Sequence, residues 1–316
     1  MRDSRALALA LALLAIGCKS RDPATSGSGA NPAGANATSA SPTGANATSS
    51  TASFDAGVMP FDAAPGDRDA APSDAARRVD AVLGTLGDGG PRFAIAPTTK
   101  QLVTAITADW DATSAELRLW TRAGTAWKQV GTAWRAVIGH TGAAWGVGLH
   151  GRGAPVGHAG PIKREGDGKS PAGVFDLTSA FGYATAAPTG SRIGYQQVDT
   201  NWKCVDDPAS RAYNRILDAR TTTVDWKSAE EMRRSDDAYA WVVEVAHNPS
   251  RTREDGSCIF LHVWSGPDSS TLGCTAMEEP HLASLIAKLA PDDRPAFVLL
   301  PRAEYAALAD AWDLPR

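Results

Sequence analysis

Cysteine and methionine are scarce in this 316-residue chain, with four copies of each, and positive charge is not in excess. Lys plus Arg number 31 against 35 for Asp plus Glu, a formal net charge of -4. That balance offers no broad cationic surface of the kind that dominates polyanion affinity, so a nucleic-acid partner is not expected. Long apolar runs are missing too: beyond the first twenty residues none approaches the roughly 20 residues that span a bilayer. Aromatics are nearly absent from residues 19–75, where only Phe54 and Phe61 occur, whereas all ten tryptophans lie between Trp110 and Trp312. The chain therefore divides into a tail and a body, and 43% hydrophobic residues suffice for one sizeable core.

The tail begins with a recognisable address. Arg2 and Arg5 precede the apolar stretch Ala6 to Gly17, which is too short and wrongly flanked to span a membrane but suits a secretory signal over residues 1–17. Ala15-Ile16-Gly17-Cys18 resembles the bacterial lipoprotein signal, although Ala15 stands where leucine is usual. The resemblance implies lipidation of Cys18, and Lys19 after it favours the outer membrane, which makes the expected location periplasmic and lipid-anchored. Residues 18–76 are rich in Ala, Ser, Thr, Gly, Pro and Asn, and Gly-Ala-Asn-Ala-Thr-Ser occurs at both Gly34 to Ser39 and Gly44 to Ser49. Such a segment buries too little apolar surface to offset its ordering entropy, so it is expected to be a disordered tether with an r.m.s. reach of roughly 45 Å.

The body, residues 77–316 with a core over about 101–315, reads as mainly β. Short runs of branched and aromatic residues, Gln101 to Thr107, Glu116 to Arg122, Ala126 to Val130, Trp134 to Gly139 and Trp145 to Leu149, alternate with turn residues. Their spacing predicts antiparallel strands packed as a sandwich or barrel. A few short helices are expected: one opened by Ser228-Ala229-Glu230-Glu231 as a capping box, one from Pro280 to about Leu289, and a closing one over Arg302 to Trp312. Ala296 to Leu300 suits a buried strand.

Reactive side chains gather late in the chain. Cys274 follows Gly273, whose missing side chain lets a substrate approach the backbone. Upstream, a period of two puts Cys258, Phe260, His262 and Trp264 on one strand face. An imidazole brought beside the thiol would draw off its proton and leave the thiolate that attacks carbonyls. Residue types alone leave Cys204, Cys258 and Cys274 with three possible pairings in an oxidising compartment.

The string as a whole goes further. His262 followed by Thr271-Leu272-Gly273-Cys274-Thr275-Ala276-Met277 resembles the catalytic segment of the YkuD-like L,D-transpeptidase family. Lys163-Arg164-Glu165-Gly166-Asp167-Gly168-Lys169-Ser170-Pro171-Ala172-Gly173-Val174-Phe175, Cys204-Val205-Asp206-Asp207-Pro208, Tyr213-Asn214 and Gly256 to His262 match in the same order, so the resemblance covers about Gln101 to Pro315. It implies a β-rich exported enzyme acting on peptidoglycan stem peptides. Cys274 would attack the carbonyl before the terminal D-alanine of a tetrapeptide stem, and an amine of a neighbouring stem would take the acyl group as a 3-3 crosslink. His262 would be the base, and backbone N-H groups around Gly273 and Cys274 would hold the oxyanion. Trp264 and Thr271 are expected to contact substrate. No metal or organic cofactor is implied, and a monomer is expected. Hydrolysis of the same thioester, giving a carboxypeptidase or endopeptidase, and a non-catalytic peptidoglycan-binding module are the alternatives.

Two departures bear on specificity, since Leu272 and Ala276 replace a histidine and an arginine found in many members. The missing cation must come from elsewhere if a stem carboxylate is bound, with Arg152, Lys163 and Arg164 as candidates. With Cys274 assigned to chemistry, a Cys204–Cys258 disulfide is expected, two reduced buried cysteines being the alternative. His150 is a rival to His262 for the base. Glu244 and His247, three apart in a strand, should face opposite ways and make no metal pair. Asp206 and Asp207 either shape the substrate site or make a turn before Pro208. Lys163 to Phe175 is expected to form a hairpin lining the cleft.

Overall fold

A computed structural model describes residues 93–316. The signal over 1–17, the lipidation site Cys18, the tether over 18–76 and the first residues of the body lie outside the described residues.

The described chain contains β1 (Gln101–Thr107), β2 (Ser114–Ala123), β3 (Ala126–Val137), β4 (Ala143–Trp145), β5 (Val147–Gly148), β6 (Gly151–Arg152), β7 (Ser170–Gly182) and β8 (Gly194–Gln197). After these come β9 (Trp202–Cys204), β10 (Ile216–Asp218), β11 (Glu230–Glu231), β12 (Trp241–Val245), β13 (Phe260–Val263), β14 (Thr275–Met277) and β15 (Ala296–Pro301). Two α-helices, α1 (Glu279–Lys288) and α2 (Arg302–Leu308), frame the last strand.

Ten strands share one sheet in the order β12-β13-β14-β3-β2-β1-β15-β7-β4, with β8 attached to β7. Because β12 also pairs with β7, the sheet closes on itself as a barrel. Its 13-residue β7 is the hub, pairing in turn with β4, β15, β12 and β8 along its length. The parallel pair β1 and β15 is nearly all buried, which fits the uninterrupted apolar sequence of β15, whereas β1 buries Gln101, Thr104 and Thr107 among its apolar residues. Outside the barrel, β9, β10 and β11 form a three-stranded sheet and β5 and β6 a two-stranded one.

Helix α1 starts with Pro280 in its first turn and buries Leu282, Leu285 and Ile286 against β12 and β13. Its far end is tied down by buried Gln101, whose side chain donates to the Lys288 carbonyl (2.7 Å) and accepts from the Ala290 N-H (2.9 Å).

Several sequence expectations need correction. The runs at Ala126 to Val130 and Trp134 to Gly139 are one strand, β3, whose register against β2 shifts between Leu117 and Leu119. Gly131, at φ 70°, takes the kink and lets the strand continue where a turn was expected. The capping box at Ser228 opens no helix: Glu230–Glu231 pairs with β9, and the Glu230 side chain is buried, accepting from the Tyr239 hydroxyl (2.5 Å). Tertiary pairing overrides a local helix signal there. The segment from Lys163 to Phe175 is a turn-bearing loop running into β7, not a hairpin. Trp145 to Leu149 is broken at Gly146 between β4 and β5, and the closing helix stops at Leu308, short of Trp312.

Cys204 and Cys258 are joined by a disulfide that spans 54 residues and ties the end of β9 to the segment entering β13. Closing a loop of that length removes entropy from the unfolded chain worth roughly 2–4 kcal/mol. The Cys204→Ser, Cys258→Ser double variant is expected to lose about that much stability in urea titration. A change below about 1 kcal/mol would show that the crosslink holds nothing the barrel does not hold already.

Candidate active site

His262 lies on β13, and Cys274 immediately precedes β14, the parallel strand beside it. Leu261 lies opposite Thr275 and His262 opposite Ala276, so the same register carries Cys274 level with Phe260. Alternation along β13 returns the Phe260 face at His262, so extending the register one residue puts Cys274, which is not a free thiol in this structure, and His262 on one face as diagonal neighbours. Both residues are fully buried. The Phe260 N-H donates to Cys274 Sγ (3.2 Å), and the sulfur lies 3.4 Å from the Cys258 carbonyl oxygen.

His262 is held in one protonation state. Its Nδ1 lies 2.8 Å from the Val263 carbonyl oxygen, which can only accept, so Nδ1 carries the proton. Nε2 is buried without a hydrogen bond of normal length among the described residues, although the Ala238 backbone also acts on the ring. Burial lowers the pKa to about 4, offset in part by the Val263 carbonyl and helped by the positive charge of Arg234. The side chain is thus a neutral imidazole with its Nε2 lone pair available. Tyr239 packs edge-on to the ring at 5.3 Å, Arg234 lies over Tyr239, and Arg234 is paired with Asp236.

The turn before β14 is clamped by hydroxyls. Thr271 Oγ1 donates to the Cys274 carbonyl (2.6 Å) and accepts from the Gly273 N-H (3.1 Å). Ser170 Oγ donates to the same Cys274 carbonyl (2.8 Å) and accepts from the Gly139 N-H (3.0 Å). Gly273 adopts φ 148°, a region that a side chain strains. Two expectations change as a result. Thr271 is a buried brace of the turn and makes no surface for substrate, and the Gly273 N-H is engaged by Thr271, not offered to an oxyanion. Trp264, half-buried, is bonded through its backbone N-H to Met277 and remains beside His262 at the strand end.

Gly139 shows how tightly this clamp is packed. A Cβ there would lie 2.3 Å from the Gly168 carbonyl oxygen, 2.8 Å from the Ser170 nitrogen and 2.9 Å from the Gly142 carbonyl oxygen. All three are backbone atoms that cannot swing aside. Gly139→Ala is expected to cost about 3 kcal/mol and to displace Ser170 from the Cys274 carbonyl. A urea midpoint equal to that of the parent protein would contradict this.

The expected cation set does not converge on the sulfur. Lys163 is buried, and its ammonium is bonded to Asp167 Oδ1 (2.5 Å) and the Arg164 carbonyl (2.6 Å), so it is a structural residue. Arg152 is ion-paired with buried Asp255, and Arg164 lies 3.8 Å from the same carboxylate. His150, the rival base, is ringed by Trp145, Phe175 and Trp312 and accepts from the Val174 N-H (3.1 Å), which makes it a packing residue. Asp207 accepts from the Ala209 and Lys227 N-H groups, a turn role. Among the described residues, no cluster of three His, Cys, Asp or Glu side chains is placed to hold a metal ion.

Sequence reasoning missed Ser170 as a clamp and the Tyr239, Glu230 and Arg234 group behind His262. Ser170 sits inside the glycine-rich motif, which was the available signal, whereas nothing local marks Tyr239. Two clefts, of about 400 and 630 Å³, open beside the barrel, and neither is lined by Cys274 or His262. Comparison with family models, curated proteins and solved structures found no match to this chain.

Proposed function

We propose that the chain is an exported, lipid-anchored cysteine acyltransferase of the YkuD-like L,D-transpeptidase kind, acting on peptidoglycan stem peptides. The observation that carries this reading is His262, a buried neutral imidazole whose Nε2 makes no hydrogen bond of normal length among the described residues, on the strand beside the Gly273-Cys274 turn. His150 shares such a buried Nε2, but His262 is the one on the strand beside the Gly273-Cys274 turn, where a proton acceptor is needed.

In the reduced protein, Nε2 takes the Cys274 proton and the sulfur attacks the stem carbonyl. The tetrahedral adduct collapses with breakage of the C-N bond, D-alanine leaves with the proton from Nε2, and a thioester remains. An incoming amine then adds to the thioester, gives its proton to Nε2, and the thiolate is regenerated as the new amide forms. The hydroxyl clamp on the Cys274 carbonyl fixes the backbone from which the sulfur projects. Because sulfur and imidazole are both enclosed, a donor stem must displace part of the cover to reach them. Once inside, it would react in a water-poor setting that favours an amine acceptor over hydrolysis.

The test is incubation of the full chain, in detergent and with reductant, with tetrapeptide muropeptides, followed by mass spectrometry. Dimers formed with loss of D-alanine are expected. Tripeptide without dimer would assign hydrolysis, and unchanged substrate would remove this reading.

A further inference from the structure

The two clefts beside the barrel share a wall made by Asn214, Ile216, Glu244 and Arg251. Arg215 lines the larger cleft and Arg251 lines both. Among the described residues neither guanidinium has a hydrogen bond or ion pair, whereas Arg211 at the same rim is paired with Asp225. Burial, and then the charge of Arg215, pull the pKa of Arg251 below its usual value, while Glu244 pushes it up.

The backbone keeps the two cations in place. Asn214 donates to the His247 and Asn248 carbonyls (2.9 and 3.0 Å) and accepts from the Cys258 N-H (3.0 Å), so the segment carrying Arg215 is tied to the one carrying Arg251. Asn248 in turn bonds the Thr252 N-H and carbonyl across Arg251, which itself sits at φ 54°. Two like charges acting on each other, with the Glu244 carboxyl as the opposite charge acting on Arg251, leave a positive excess at this wall that an arriving anion offsets. The smaller cleft is suited to organic matter. Ile216, Ile259 and Phe260 line it, and the Glu244 carboxyl, which accepts from Thr178 (2.5 Å), adds one acceptor at the common wall.

We propose that the two clefts bind, across their shared wall, a peptide with a free α-carboxylate, Arg215 of the larger cleft and Arg251 of the shared wall holding the carboxylate and Ile216, Ile259 and Phe260 of the smaller cleft taking the adjoining side chain. A planar carboxylate can accept from both guanidiniums, and its single charge is tolerated beside Glu244, where a doubly charged phosphate is repelled. Glu244 is placed to accept a peptide N-H. The proposal concerns binding alone and stands or falls whether or not Cys274 turns over.

Titration calorimetry on the full chain at low salt tests it, with N-acetyl-alanyl-alanine, its C-terminal amide and inorganic phosphate as probes. The free acid is expected to bind, and the amide and phosphate at least about tenfold more weakly. Arg215→Gln and Arg251→Gln are each expected to weaken the free acid by about tenfold or more, with an unchanged or higher Tm because a like-charge contact is removed. Equal binding of acid and amide, or tighter binding of phosphate, would overturn the proposal. A lowered Tm in either variant would assign the arginines to the fold and overturn it too.

Discussion

Replacing Cys274 by alanine is expected to lower crosslink formation by at least about 10³-fold, to background, and to abolish any covalent adduct with a carbapenem seen by intact mass. His262→Gln is expected to keep the thiol and lose about 10²- to 10⁴-fold, the usual range for removing a general base. A pH profile separates the two roles. His262 must be neutral to act, and its pKa is lowered to about 4 by burial, so the acid limb of kcat/KM should lie near pH 4. An ordinary histidine, with a pKa near 6.5, would leave roughly a tenth of the maximal rate at pH 5.5. The proposed activity is expected to be near its maximum there. A limb near 6.5 would mean that His262 is solvated in the working enzyme or is not the base.

Acid should destabilise the protein well above the pH at which carboxylates titrate. Burial lowers the pKa of His247 to about 3 and those of His150 and His262 to about 4. Each stays neutral in the folded chain over a range where the unfolded chain, with histidine near 6.5, binds a proton. Stability is therefore full above about pH 6.5 and is lost progressively as the pH falls towards 4 and 3. The fully buried pair, His247 and His262, sets a slope of about 3 kcal/mol per pH unit once their unfolded forms are protonated, and His150 adds to it. Glu165 and Glu244 work the other way, because burial raises their pKa values and the folded chain takes up their protons at a higher pH than the unfolded chain does. Urea titrations at pH 7, 6 and 5 should show a falling midpoint, and His247→Asn should flatten the fall. A midpoint level from pH 7 to 5 would refute the assignment of neutral buried histidines.

The sequence was most readable where local pattern and tertiary role agree. Gln101 to Thr107 is a strand as expected, Ala296 to Leu300 lies within β15, and Pro280 sits in the first turn of α1. These segments carry their burial in their own composition. The capping box at Ser228 failed because Glu230 is taken by Tyr239, nine residues away and on another element. Its helix signal was real but weaker than a buried hydrogen bond. At the candidate site, the nearness of Cys274 to the strand carrying His262 follows the order of the motif on which the family resemblance rests, and it was that resemblance, by assigning Cys274 to chemistry, that left Cys204 and Cys258 to pair. The misreadings there share one cause. Lys163 looks like a substrate contact in sequence because a cation is wanted in place of the arginine that Ala276 replaces, and Thr271 because it sits three residues before Cys274. Their partners, Asp167 and the Cys274 carbonyl, are found only once the chain has folded.

The closure of the barrel also sets an order of events during synthesis. Strand β15 lies between β1 and β7, yet it is the last of the described strands to leave the ribosome. Until residues 296–301 emerge, β1 near the start of the body and the central hub β7 each keep an open edge towards the place that β15 will fill. The nascent chain can therefore form hairpins such as β1 with β2 and β2 with β3, but it cannot complete its ring. A chain cut short before β15 would present two apolar edges of the kind that pair with other molecules. The final twenty residues thus act as the key that locks a fold begun about two hundred residues earlier.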